Sequence, residues 1–139
     1  GYLSAQIAYR KNWNWPADAK YKTQKLNVIG WFGDSPYLPP RVMKNVDKNS
    51  PPGFMIYGDK EHPGTPAKMG RDMQAVFKDQ GVWNQLVLVK KAGHVPGKQV
   101  LISARTRKKL VFDAFDQFLD MICYSKTPPK SGEVIEITK

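Results

Sequence analysis

Ser50-Pro51-Pro52-Gly53-Phe54-Met55-Ile56-Tyr57-Gly58-Asp59-Lys60-Glu61-His62 is the stretch that decides the architecture. Its two prolines cannot donate to a strand ladder, so a strand begins after them. From Gly53 to Tyr57 the run is apolar without alternation, the pattern of a strand buried on both faces. Such strands belong to parallel sheets with helices packed on either side. Gly58 then ends the run, and charged residues follow. In open sheets of this kind ligands collect beyond the carboxyl ends of the strands, which is where Asp59, Glu61 and His62 fall.

Working outward, the downstream segment predicts a helix. Thr65 suits a capping position and Pro66 the first helical position. Met69, Met73, Val76 and Phe77 follow at i, i+4, i+7 and i+8, and Gly81 is a C-terminal stop. Leu86-Val87-Leu88-Val89 reads as another buried strand, followed by Lys90-Lys91-Ala92-Gly93-His94. A last helix is expected over 104–123, with Val111, Ala114, Phe115, Phe118 and Ile122 inward and Asp113, Asp116 and Asp120 outward. Residues 133–137 suggest a short terminal strand. Upstream, Leu3, Ile7 and Ala8 share a helical stripe over 2–10, which Trp13-Asn14-Trp15-Pro16 ends. Leu26 to Phe32 predicts a buried strand closed by Gly33-Asp34-Ser35-Pro36, and 33–52 a long loop with one short helical turn.

The order α-β-loop-β-α-β-α predicts an α/β fold. Three buried strands make a poor sheet alone, since an open parallel edge invites pairing. The chain is therefore expected to be a single partial domain over 1–139, part of a doubly covered parallel sheet, with 124–139 as a C-terminal tail.

At 139 residues, 41% of them hydrophobic and 12% aromatic, the composition is that of a globular domain with a sizeable core. No apolar run reaches the length of a membrane span. The net charge of +10, from 22 basic and 12 acidic residues, invites a nucleic-acid reading. The basic residues are scattered, however, and only Arg105-Thr106-Arg107-Lys108-Lys109 forms a run. With no aromatic ladder and no zinc-finger motif, a solvated basic surface is the better account. The single Cys123 excludes an intrachain disulfide and reads as a buried or half-buried thiol. Two histidines without ligand spacing predict no metal site, and no cofactor motif is present. Trp13, Trp15, Trp31 and Trp83 read first as packing residues.

A carboxylate after one buried strand and an imidazole after the next can meet at adjacent strand ends. The carboxylate would fix the imidazole tautomer and stabilise its cation, and the imidazole would take a proton from a hydroxyl nucleophile. His94 is the candidate base. Trp31 and Asp34, at the end of the first strand, are candidates to wall a substrate pocket.

Gly53 to Glu61, the helix, the strand and then Ala92-Gly93-His94 together resemble the C-terminal half of α/β-hydrolase esterases. The likeness is greatest to the lipase and xylan- or feruloyl-esterase-like branch. Gly1-Tyr2-Leu3 and its helix are similar to the stretch just after that family's nucleophile elbow. The resemblance implies a carboxylic-ester hydrolase working through a serine acyl-enzyme. His94 would be its base and Glu61, three residues after Gly58, its acid. The family more often has Asp there, so Asp59 is the fallback acid. The resemblance also implies that the nucleophile precedes residue 1, that the missing N-terminal half of the fold is a partner, and that 1–139 alone is inactive. Ser4 lacks the elbow glycines and lies a turn into the helix. The expected substrate is a small-molecule or carbohydrate-linked ester. A peptidase of the prolyl-oligopeptidase type and a non-catalytic basic binding module are the alternatives.

Overall fold

The computed structural model describes residues 2–10 and 27–139. Its sheet has four strands in the order β1 (Trp31–Asp34), β2 (Gly53–Gly58), β3 (Asn84–Lys90) and β4 (Val134–Thr138), every neighbouring pair parallel. Four α-helices lie between or before them: α1 (Tyr2–Tyr9), α2 (Pro40–Met43), α3 (Lys68–Asp79) and α4 (Lys109–Tyr124). The architecture is α/β.

Both faces of the sheet are covered, and the pleat of β2 shows how. Met55 and Tyr57 join Leu86 and Leu88 in one core, closed by Ala5 and Tyr9 of α1, Val42 of α2, and Met73 and Phe77 of α3. Phe54 and Ile56 join Val87 and Val89 in the other, closed by Val111 and Phe118 of α4 and by Val100 and Leu101. Phe54 is fully buried, its ring edge-on to Phe115 at 5.2 Å and tilted against Phe118 at 5.7 Å. Each such side chain contributes about 1.5–3 kcal/mol by leaving water. The continuous apolar runs of β2 and β3 are thus the sequence trace of a two-sided core.

The first strand lies later than the expected Leu26–Phe32. Residues 27–30 are irregular, and the ladder opens with Trp31 N–H donating to Pro52 C=O. Pro51 and Pro52 bring no N–H to pair with anything earlier. Gly33 and Asp34, expected in the turn, are strand residues, and the strand alternates in burial as an edge strand does.

Two further differences have local causes. The third helix starts at Lys68 with no side-chain cap, because the Thr65 hydroxyl is used elsewhere. The last helix starts at Lys109, and before it stands a single π-helical turn at Lys98–Ile102. Thr106 Oγ1 donates to Gln99 C=O and Lys108 N–H to Val100 C=O, folding the basic run back over that turn. Cys123, read as buried or half-buried, is exposed. Gly81, with φ +68°, does close α3. The tail forms β4, whose Glu136 pairs with Lys90 at 3.1 Å and Arg71 at 3.5 Å. Trp13-Asn14-Trp15-Pro16 and Leu26 lie outside the described residues.

Candidate active site

The carboxyl ends of β1, β2 and β3 converge, and two glycines permit it. A Cβ on Gly58 would stand 2.3 Å from Ala92 C=O and 2.4 Å from Gly93 C=O. Only glycine lets the end of β2 lie against the backbone that carries His94. A Cβ on Gly97 would stand 2.5 Å from Asp34 Oδ2, so the chain after His94 lies equally close to the end of β1.

Glu61 and His94 meet there. His94 Nδ1 is 2.8 Å from Glu61 Oε2. The Glu61 side chain is only 2% exposed, whereas His94 is 49% exposed. The carboxylate is satisfied on both oxygens. Oε1 accepts from Gly58 N–H at 2.8 Å and from the Ser35 hydroxyl. Oε2 accepts from His94 and, at 3.4 Å, from Thr65 Oγ1, which also lies 3.2 Å from His94 Nδ1. A buried carboxylate needs such donors to remain ionised. The acceptor at Nδ1 sets the tautomer: the proton sits on Nδ1 and the Nε2 lone pair is free. Among the described residues Nε2 has no hydrogen-bond partner.

The other predicted residues fall as follows. Asp59 is exposed, its N–H donating to Val89 C=O, and its carboxylate forms no ion pair with His94 among the described residues. His62 is exposed and accepts Gly64 N–H within its own turn. Trp31 is 5% exposed and belongs to the core rather than to a pocket wall, edge-on to Tyr9 with its indole N–H donating to Ser4 Oγ at 3.3 Å. Asp34 is half-buried beside the pair and accepts Gly97 N–H at 3.0 Å. Burial raises its carboxyl above the usual aspartate range; the Gly97 N–H and the charge of His94 oppose this, and that of Glu61 adds to it. Tyr57, raised by burial and then by the charge of Glu61, stays protonated and donates to Pro36 C=O at 2.6 Å.

The chain matches no protein-family profile and no curated protein. A solved structure described as a truncated form of a carbohydrate esterase from gut microbiota is similar to it at 23% identity and a TM-score of 0.44, over 57% of this chain and 25% of that one. The chain spans about a quarter of that structure's length. Among the described residues no group of three or more His, Cys, Asp or Glu could hold a metal ion, and no helix is long and apolar enough to cross a membrane.

Two members of the cluster escaped the sequence reading. Thr65 reads as a helix cap, since its local pattern is that of one, yet its hydroxyl bridges Glu61 and His94. Ser35 reads as an ordinary turn residue. Its signal was its place beside Asp34 at a strand end, the same placement that singled out Glu61 and His94.

Proposed function

We propose that Glu61 and His94 are the acid and base of a serine-type hydrolase acting on carboxylic esters. The observation that carries this is the 2.8 Å bond between a solvent-open imidazole and a carboxylate 2% exposed. A surface ion pair would leave both partners in water. Here the carboxylate is fixed and dry, and the imidazole presents Nε2 outward. The ester specificity rests on the likeness of the Gly58–Glu61 and Ala92–His94 stretches to α/β-hydrolase esterases.

In this reading His94 Nε2 takes the proton of a serine hydroxyl as its oxygen bonds to the ester carbonyl carbon. The carbonyl π pair moves onto oxygen. The resulting imidazolium donates from Nδ1 to the Glu61 carboxylate, which stabilises the cation. When the oxyanion collapses, the bond to the alcohol oxygen breaks and His94 returns the proton to it. Water then repeats the sequence on the acyl-enzyme. In this reading the serine comes from outside residues 1–139, as the likeness to that family implies. Ser4 receives the Trp31 indole N–H, and Ser35 is 4% exposed with its hydroxyl already engaged.

Hydrolysis of p-nitrophenyl acetate by the full-length protein tests this. His94→Ala is expected to lower kcat by about 10³-fold or more, since triad members act as a unit, while His62→Ala stays within about twofold. Equal, mild effects would refute the assignment.

A further inference from the structure

We infer that Ser35 is a positioning residue: its hydroxyl joins the ends of β1, β2 and β3 and holds the Glu61 carboxylate against His94. The inference rests on the acid–base reading of that pair. Ser35 follows Asp34 at the end of β1. Its hydroxyl donates to Glu61 Oε1 and accepts Val95 N–H at 2.9 Å. One side chain thus grips the acid directly and the base through its neighbour in the chain.

The backbone is built around this contact. Ser35 has φ +46° and Val95 φ +57°. Positive φ is uncommon outside glycine and an outlier for a β-branched residue such as Val95. Both conformations are held from outside. Ser35 N–H donates to Ile56 C=O at 2.8 Å, and Pro36 C=O accepts the buried Tyr57 hydroxyl. Val95 N–H has the Ser35 oxygen as its acceptor. The Ser35 residue is only 4% exposed. Its proton goes to Glu61 and one of its lone pairs accepts Val95 N–H, so it has no proton left to donate to a substrate.

Without the hydroxyl, Glu61 Oε1 keeps only Gly58 N–H, and Val95 N–H loses its acceptor. The carboxylate can then rotate away from Nδ1 and the His94 loop can shift. Small misplacements of a catalytic group cost rate far more than they cost binding.

The test uses the full-length protein as Ser35→Ala and Ser35→Gly. Both remove the hydroxyl, and glycine also suits the positive φ, so it separates the hydroxyl from the backbone strain. Both are expected to lose about 10- to 100-fold in kcat with KM within about twofold. In both, the downfield proton NMR resonance of His94 Nδ1–H, assigned by its loss in His94→Ala, is expected to broaden or move upfield. A Ser35→Gly protein with wild-type kcat and an unmoved resonance overturns the proposal, since the site would then need only the turn. The resonance decides for Ser35 without reference to turnover. Failure of the acyl-transfer reading is a separate result, seen as unchanged turnover in His94→Ala.

Discussion

β2 and β3 are buried along almost their whole length, from Gly53 to Gly58 and from Asn84 to Val89, while β1 and β4 alternate between buried or half-buried and exposed positions. The residues after the central pair supply Glu61 and His94. The residue after β1, at the end of the described sheet, supplies Ser35, which ties the two together. The difference teaches how the labour is divided. The proposed acid and base follow the strands that two cores hold from both sides, and the residue after β1 holds their geometry.

The comparison breaks most visibly in stability. Phe54→Ala, at the centre of one core, is expected to cost about 3–5 kcal/mol, and Ile137→Ala, half-buried on the edge strand β4, about 1 kcal/mol. Urea unfolding of the two variants checks this, and equal losses would show that centre and edge are equally load-sharing. Gly58→Ala comes next. Its methyl meets two backbone carbonyls that no side-chain rotation can clear, so about 1–3 kcal/mol and a turnover loss of about 10²-fold are expected, read by melting and hydrolysis together.

The edge is sharpened by pH. Burial holds Asp34 above its ordinary pKa of 3.8, so the folded protein binds that proton more tightly than the unfolded chain does. The contribution of this group to stability therefore falls as pH rises from the ordinary value through the raised one. Asp34→Asn keeps an acceptor for Gly97 N–H and removes the ionisation. Its melting temperature is expected to gain on the unsubstituted protein as pH rises from the ordinary aspartate value through the raised one. A constant difference across that range would show that the burial has no net effect. The smallest effect belongs to the surface: Lys68→Ala breaks an exposed i,i+4 pair with Asp72 and is expected to change stability by less than about 0.5 kcal/mol in the same melts.

Legibility follows the same division. β2 and β3 are readable because continuous apolar runs between turn residues have few other meanings. Glu61 and His94 are readable because strand ends of this fold are where chemistry collects. At the edge, the apolar run through Val28 and Ile29 looks like a strand, yet pairing starts only at Trp31 because Pro51 and Pro52 offer no donors. Thr65 fits a cap locally, and only the fold reveals that its hydroxyl faces His94. The π-helical turn at Lys98–Ile102 is too short to show a period. Ser35 stands at a strand end beside Asp34, but its contact with Val95, 60 residues away, shows only in the fold.

In the proposed site Glu61, not Asp59, orients His94. Glu61→Gln keeps the shape of the side chain and removes the charge that stabilises the imidazolium, whereas Asp59→Asn alters an exposed residue whose carboxylate forms no ion pair with His94 among the described residues. The two full-length variants should be assayed side by side for hydrolysis of p-nitrophenyl acetate. A fall in kcat of about 10²- to 10⁴-fold is expected for Glu61→Gln, with KM little changed, and turnover within about twofold for Asp59→Asn. A silent Glu61→Gln beside a damaging Asp59→Asn would contradict this assignment.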